Sequence, residues 1–217
     1  MTFQTLTTEQ RTPEWHAARL GRLTGSCAAD MLAKIKTGEA AGRRNLRVRL
    51  VLERLTGQSQ EDDYVSKDMQ RGTDLESAAF AAYEAETGNL ARRVGFLAHP
   101  DLMAGCSPDA EVGGYQGIVE LKCPKSATHL GYLRARVVPD DYLKQVQHNL
   151  WITGAQWADF VSWDPRFPPS LRLMITRVTM ADAERKAYEL LVRMFLAEVD
   201  REYEEVEQMA ATVGAAA

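Results

Sequence analysis

One segment constrains the fold of this chain more than any other: CSPDAEVGGYQGIVELKCP at residues 106–124. Apolar stretches flank its glycine pair, a pattern that predicts two antiparallel strands joined by a tight turn. Side chains two positions apart on a strand share a face, so Glu120 and Lys122 are expected to point the same way. Hairpin pairing would bring Asp109 beside them.

Two carboxylates and an ammonium group are expected to meet on this hairpin, and the carboxylates repel each other unless something uses them. A divalent cation relieves the repulsion, and Mg²⁺ prefers carboxylate and carbonyl oxygens, water and phosphate as ligands. A lysine beside the ion can orient or deprotonate an attacking water and stabilise charge on a phosphate. Glu120-x-Lys122 alone is more often an incidental surface ion pair, so the inference depends on the whole segment.

The rest of the chain alternates between helical and strand-like patterns. Helical spacing is found near residues 14–20, 45–55, 73–87, 141–153 and 179–209, and strand patterns at 94–99, 157–163 and 171–178. Thr73 is the expected start of its helix, and Thr24 or Ser26 could cap a short one. This order predicts an α/β fold with a mixed central β-sheet flanked by helices. We expect one domain over residues 1–210 and a disordered Ala-rich tail at 211–217.

Charge is unevenly distributed along the chain. The net charge of −4 is unusual for a DNA-binding protein, because lysine and arginine contacts to phosphate supply most non-specific affinity. A basic strip lies at residues 41–54, and acids follow one another at residues 198–207. The arginines of the strip are Arg43, Arg44, Arg47, Arg49 and Arg54. The strip could contact DNA or simply be a solvated helix face.

Several classes of site and location are excluded by the sequence. The three cysteines are too few and too widely spaced for a disulfide framework, and the four histidines lack zinc-ligand spacing. There is no GxxxxGK[ST] loop, which excludes an ATP motor. An apolar run of eighteen residues and a secretory signal are both missing, so we expect a cytoplasmic protein without membrane contacts.

Ordered motifs along the chain resemble those of the lambda-exonuclease-like (YqaJ-type viral recombinase) family of PD-(D/E)XK nucleases. They are EWHAARLGRLTGS at 14–26, RGTDLE at 71–76, CSPD at 106–109, VELKCP at 119–124, QVQ at 145–147 and WDPRF at 163–167. The resemblance implies a restriction-endonuclease-like core and a Mg²⁺-dependent enzyme, with Mn²⁺ as a substitute. Such an enzyme digests linear double-stranded DNA from 5′ to 3′ and leaves 3′ single strands for phage-type homologous recombination. Relatives form a homotrimer ring around DNA and work with a single-strand annealing protein, and a bacterial or phage origin follows.

The resemblance assigns the catalytic roles residue by residue. Asp109, Glu120 and the backbone carbonyl of Leu121 would bind the metal, and Lys122 would be the catalytic lysine. Glu76 matches a helix glutamate of the same metal site. The sequence Thr73-x-x-Glu76 is also a capping box, in which the glutamate only bonds the backbone at the helix start.

The resemblance also places residues around the substrate. Arg19 and Ser26 match a pocket for the 5′-terminal phosphate, although a solvent ion pair and a plain helix cap are the alternatives. Gln145 and Gln147 lie on a helix that faces the active site in relatives. Residues two apart do not share one helical face, so one glutamine is expected to reach the site, and Gln147 is preferred. Asp101 lies one residue out of register with a second family acid.

Two other functions remain open. Another PD-(D/E)XK nuclease, of restriction or repair type, would cut covalently closed circular DNA. A non-catalytic DNA-binding protein could keep the fold, but it has no reason to retain carboxylates that repel each other.

Overall fold

A computed structural model describes residues 3–60 and 66–215, and its centre consists of two β-sheets covered by helices. The strands are β1 (Gln4–Thr5), β2 (Leu23–Thr24), β3 (Ala91–Arg93), β4 (Leu97–Ala98), β5 (Ala104–Cys106), β6 (Ala110–Val112), β7 (Gly117–Lys122), β8 (Trp157–Trp163) and β9 (Leu173–Val178). The helices are α1 (Pro13–Arg19), α2 (Ala28–Met31), α3 (Ala41–Thr56), α4 (Lys67–Thr87), α5 (Ser126–Ala135), α6 (Asp140–Thr153) and α7 (Asp182–Ala215). The predicted α/β class is confirmed, with two sheets in place of one.

The larger sheet has the strand order β3-β6-β7-β8-β9 and contains the predicted hairpin. Strands β6 and β7 are antiparallel, with Ala110 opposite Val119 and Val112 opposite Gly117. Gly113 adopts a φ of 63° in the turn, a conformation that glycine reaches without steric cost. Strand β8 then runs parallel to β7, and α5 and α6 form the crossover between them.

The smaller sheet, β1-β4-β5-β2, supplies the other half of the site's framework. Its strands are only two or three residues long, and β1 and β2 were not predicted because so short a strand leaves no alternation to detect. Strand β5 ends at Cys106, and the chain passes through Ser107, Pro108 and Asp109 directly into β6. The Ser-Pro-Asp turn therefore joins the two sheets.

Strand β7 is packed on both faces, which fixes the direction of its side chains. Ile118 lies in a core cluster with Val146 and Leu150 of α6. On the opposite face, Val119 and Leu121 pack in a second cluster that includes buried side chains of α4. Burying apolar groups on both faces holds the register, because a slip of one residue would exchange every side chain between the two clusters.

Several predicted boundaries are corrected by the structure. Helix α4 begins at Lys67, so Thr73 and Glu76 lie inside the helix and the capping box is wrong. Neither Thr24 nor Ser26 caps a helix with its side chain; they flank and occupy a single 3₁₀ turn before α2. Helix α5 was not predicted at all. Helix α7 continues to Ala215, so residues 211–215 are helical where a disordered tail was expected, and 216–217 lie outside the described residues.

Three of the five arginines of the basic strip on α3 face α7. Arg43 contacts Glu198 at 2.7 Å, and Arg47 contacts Glu202 at 2.7 Å. The Arg54 guanidinium reaches a third acid of α7, Asp200, at 2.6 Å. These three arginines therefore join two helices to each other.

Within the described part of the chain, no helix combines the length and apolarity needed to cross a bilayer.

Candidate active site

Glu120 and Lys122 share a face of β7, as their alternation predicted. The Lys122 ammonium donates to Glu120 Oε1 at 2.5 Å. Glu120 is only 2% exposed, and a buried carboxylate needs several hydrogen bonds. The side-chain amide of Gln145 donates to Oε1 at 2.7 Å, and that of Asn149 donates to Oε2 at 3.1 Å. Glu120 is thus held by two amides of α6 and by one ammonium group.

Asp109 is held against β7 by the hairpin. Its backbone N–H donates to the Val119 carbonyl at 3.0 Å, and its Oδ2 accepts from the Leu121 N–H at 2.6 Å. Burial and the nearby charge of Glu120 raise the pKa of Asp109 to about 7, although Lys122 and the Leu121 N–H oppose the shift. The structure therefore brings two carboxylates close enough to repel each other, with one cation between them.

Lys122 keeps its proton in this environment. Burial alone would lower the pKa of its ammonium, but Glu120 and Asp109 outweigh that effect and raise the pKa overall. The Tyr142 ring lies 5.1 Å from Nζ, where its face adds a cation–π contact. Lys122 is therefore a charged hydrogen-bond donor at the end of β7. It lines the β7 cleft, whose walls also include Arg71, Glu76, Asp109 and Tyr142.

Glu76 lies on the wall of the same cleft, but its carboxylate is turned to two arginines. Arg11 donates to Oε2 at 2.9 Å and Arg93 to Oε1 at 2.5 Å. Across residues 3–60 and 66–215, no three His, Cys, Asp or Glu side chains are clustered as a ready metal site. Amides and Lys122 contact Glu120, while the two arginines contact Glu76.

The donor chemistry of the cleft nevertheless fits a divalent metal ion. Asp109 and Glu120 are hard oxygen ligands, which Mg²⁺ prefers over nitrogen and sulfur. Burial and, after it, the charge of Glu120 raise the pKa of Asp109, and a bound cation would favour the ionised carboxylate against both effects. The residues present are therefore suited to a divalent metal ion.

The segment before α1 clamps the Ser-Pro-Asp turn, a feature that sequence reasoning missed. Gln10 donates from Nε2 to the carbonyls of Val94 at 2.9 Å and Pro108 at 3.0 Å. The indole N–H of Trp15 donates to the Ser107 hydroxyl at 2.9 Å. Gln10 and Trp15 therefore fix the two residues that precede Asp109. No local pattern announces such contacts, since the partners are more than 80 residues apart in the chain.

Arg19 lies at a second, smaller pocket, which we call the terminal pocket. It is lined by His16, Arg19, Arg22, Thr24, Arg49 and Glu53, among others. The Arg19 guanidinium stacks over the Trp15 ring at 4.2 Å. Burial and, after it, the charge of Arg54 lower the pKa of Arg22. Arg49, from the basic strip, also lines this pocket, which was not predicted from the sequence. His16 lines both this pocket and the β7 cleft.

The remaining predicted site residues fall in different places. Ser26 is exposed, with its hydroxyl 3.1 Å from that of Thr24. Gln145 donates to Glu120, and the preference for Gln147 as the glutamine that meets the substrate stays a prediction. The signal that could have found Gln145 is its spacing to Asn149, since residues four apart share a helical face. Asp101 is exposed beside His99 and does not line the cleft.

Comparison with known proteins agrees with this geometry. The fold, with the Ser-Pro-Asp turn beside β7, is of the PD-(D/E)XK nuclease type. The sequence profile described as the YqaJ-like viral recombinase domain matches residues 14–156, and the chain belongs to that family. No curated protein matches the chain.

Solved structures show the same relationship. The crystal structure of LHK-Exo, an alkaline exonuclease from Laribacter hongkongensis, is 40% identical with a TM-score of 0.84, covering 93% of this chain and 100% of that one. LHK-Exo in complex with dAMP gives a TM-score of 0.85 over the same shares. A phage related exonuclease from Haemophilus somnus 129PT, 13% identical with a TM-score of 0.65, covers 85% of this chain and 96% of its own and shares the fold. The chain is a nuclease.

Proposed function

We propose that the chain is a Mg²⁺-dependent exonuclease that digests linear double-stranded DNA from 5′ to 3′ and leaves 3′ single strands for phage-type recombination. The observation that carries the proposal is the meeting of Asp109, Glu120 and Lys122 at the end of β7. Family membership and the likeness to an alkaline exonuclease support it. The pKa of Asp109 is raised to about 7, so its carboxylate form predominates only above that pH, in line with activity at alkaline pH.

The metal would be held by Asp109, Glu120 and the Leu121 carbonyl, with Glu76 as a further ligand. When bound, a divalent ion supplies Lewis acidity to the phosphate and makes bound water more acidic. The chain's own contribution is to hold the carboxylates in place, through the Leu121 N–H on Asp109 and the α6 amides on Glu120. Removing a supporting contact of this kind normally lowers metal affinity or activity by about 10- to 100-fold.

Lys122 would act on the phosphate as a charged donor. Its Nζ keeps its proton, and a positioned ammonium can orient the attacking water and offset charge that develops on phosphate oxygens. Tyr142 limits the directions in which Nζ can turn, since the ring lies beside it.

The terminal pocket would bind the 5′-phosphate of the strand being digested. Guanidinium groups bind phosphate bidentately, and three arginines line this pocket: Arg19, Arg22 and Arg49. Ser26 is exposed beside Thr24, one of the lining residues, and would add a hydroxyl donor. Because His16 lines both sites, a strand held by its 5′-phosphate would continue into the β7 cleft. This continuity supports 5′-to-3′ polarity.

Assembly into a homotrimer ring would explain how a chain of net charge −4 stays on DNA. Three arginines of the basic strip are paired with acids of α7 and are therefore not available to DNA phosphates. A ring that encircles the duplex would replace part of that electrostatic attraction. Size-exclusion chromatography with light scattering tests the ring, and a monomer at every concentration would remove it. A single-strand annealing protein is the partner that this function implies.

The proposal is tested by incubating the purified chain with linear duplex DNA in Mg²⁺ or in EDTA. Paired substrates should carry either a 5′-phosphate or a 5′-hydroxyl. We expect stepwise loss of the 5′-phosphorylated strand in Mg²⁺ and no loss in EDTA. Cutting of covalently closed circles would instead indicate a restriction- or repair-type endonuclease, and absence of cleavage in Mg²⁺ and Mn²⁺ would leave a DNA-binding protein.

A further inference from the structure

Glu76 is paired with two arginines at once, from two distant parts of the chain. Arg11 comes from the segment before α1 and contacts Oε2 at 2.9 Å. Arg93 comes from β3 and contacts Oε1 at 2.5 Å. Glu76 is 14% exposed, whereas the two arginine side chains are 53% and 54% exposed. Both guanidinium groups therefore remain open to solvent on the side away from the carboxylate.

One carboxylate does not need two arginines. A single guanidinium already balances the charge of Glu76, and a second one adds repulsion between the two cations. Each guanidinium carries five N–H donors, of which Glu76 engages only a few. Arg93 is fixed further by its contacts with the Ser77 hydroxyl at 3.2 Å and the Phe80 ring at 4.9 Å. The arrangement leaves guanidinium N–H donors that Glu76 does not engage, on two arginine side chains that are more than half exposed.

These donors open onto a groove beside the catalytic residues. The side groove is lined by Gln10, Arg11, Glu76, Arg93 and Asp109, among others, and it shares Arg11, Glu76 and Asp109 with the β7 cleft. Arg11 has a left-handed backbone, with a φ of 65°, directly after Gln10, which is bonded to the Pro108 carbonyl. The loop that presents Arg11 is thus attached to the turn that carries Asp109.

We propose that Arg11 and Arg93 together bind a backbone phosphate of the DNA in the side groove, next to the phosphate that is cleaved. An anion with several oxygens satisfies both guanidinium groups and removes the repulsion between them. Glu76 keeps the pair oriented while DNA is absent. This inference rests on the proposed function, since it names how the same site holds its substrate. It adds local positive charge that the arginines paired with α7 do not provide.

The test measures DNA binding without cleavage. Full-length protein in EDTA is titrated against a fluorescently labelled duplex with 5′-hydroxyl ends, and the affinity is followed from about 50 to 200 mM salt. We expect the double variant Arg11→Gln/Arg93→Gln to reduce the slope of log K against log salt by about one, because the pair neutralises one phosphate, and each single variant to reduce it by less. Arg11→Lys and Arg93→Lys keep the charge and should keep the slope. Arg201→Gln, an exposed arginine of α7, is the matched control and should leave affinity and slope unchanged.

A second variant separates a substrate contact from a structural clamp. Glu76→Gln releases both arginines, so metal-free binding should tighten, and this gain should be lost when both arginines are glutamine. An unchanged slope in a folded double variant would overturn the inference, and so would an effect confined to duplexes with a 5′-phosphate. The parent protein is assayed in Mg²⁺ in parallel. Cleavage there with an unchanged slope removes only this inference, while failure to cleave removes the proposed function itself.

Discussion

The indole N–H of Trp15 donates a hydrogen bond of 2.9 Å to the hydroxyl of Ser107, two residues before Asp109. The same indole ring supports the Arg19 guanidinium at 4.2 Å. One side chain therefore links the terminal pocket to the turn that carries Asp109. Under the proposed function, Trp15 would connect recognition of the DNA end to the alignment of Asp109.

Trp15→Phe should separate these two functions. Phenylalanine keeps a ring beneath Arg19 but removes the donor to Ser107, a loss of about 1 kcal/mol for a typical hydrogen bond. We expect the preference for 5′-phosphorylated ends to persist while the maximal rate falls by about fivefold to tenfold, since 1.4 kcal/mol is tenfold. Single-turnover digestion of 5′-phosphoryl and 5′-hydroxyl duplexes measures both quantities. Loss of the end preference with an unchanged maximal rate would contradict this, because it would show that the Trp15–Ser107 hydrogen bond serves end recognition and not the catalytic rate.

The two glutamines of α6 provide a matched comparison. Gln145→Ala removes a 2.7 Å hydrogen bond from Glu120, and we expect the digestion rate to fall by about 10- to 100-fold. Gln147→Ala, two residues along the same helix, should change the rate less than about twofold, within the range of neutral surface changes. Initial digestion rates of both variants in Mg²⁺ measure the difference, and circular dichroism checks that both are folded. Equal losses in both variants would mean that α6 presents a different face to the substrate.

The raised pKa of Asp109 predicts how metal affinity depends on pH. Burial and Glu120 bring this pKa to about 7, so below pH 7 the carboxyl group holds a proton that a metal ion must displace. Affinity for Mn²⁺ should therefore rise by up to about tenfold per pH unit as the pH approaches 7, and then level off. Calorimetric titration with Mn²⁺ between pH 5.5 and 8.5 measures this. An affinity that is constant below pH 7 would show that Asp109 is ionised throughout.

His148 should contribute to the stability of the fold in mild acid. It is fully buried between the Tyr188 hydroxyl and the Gly105 carbonyl, and burial lowers its pKa to about 4. The folded pKa lies below the unfolded value, so this stability is present above about 6.5 and is lost as the pH falls towards 4. The full effect is on the order of 3 kcal/mol, since one pKa unit corresponds to about 1.4 kcal/mol.

The variant His148→Gln tests that contribution. It should lower stability at pH 7.5, because a well-packed ring is lost, yet flatten the decline in stability between pH 6.5 and 4. Urea unfolding of the metal-free protein across this range gives both numbers. A decline as steep in the variant as in the parent protein would place the acid sensitivity in other groups.

The hairpin could be predicted from sequence because its determinants are local. Alternation along β7 and the glycine pair specify strands, turn and side-chain directions together, so Glu120 and Lys122 were expected on one face and are found there. The start of α4 was misjudged for the same local reason. Thr73 and Glu76 have the spacing of a cap, and no feature of that spacing shows that the helix already began at Lys67.

Features that depend on tertiary contacts could not be predicted. The rotation of α6 about its axis decides whether Gln145 or Gln147 meets Glu120, and packing of Val146 and Leu150 against β7 sets that rotation. The basic strip carries Arg43 and Arg47 at a spacing that matches Glu198 and Glu202, but the sequence does not say that α3 and α7 are neighbours. The pairing of Glu76 with two arginines likewise depends on three segments meeting.

Under the proposed function, Lys122 and its two neighbouring carboxylates act as one catalytic centre. The most direct measurement compares Lys122→Ala with Lys186→Ala, an exposed lysine of α7, in Mg²⁺-dependent digestion of a linear 5′-phosphorylated duplex. We predict a loss of at least about 10²- to 10³-fold for Lys122→Ala, as expected when a charged donor is removed from a developing oxyanion, and none for the control. A folded Lys122→Ala protein that digests DNA at the parent rate would contradict it.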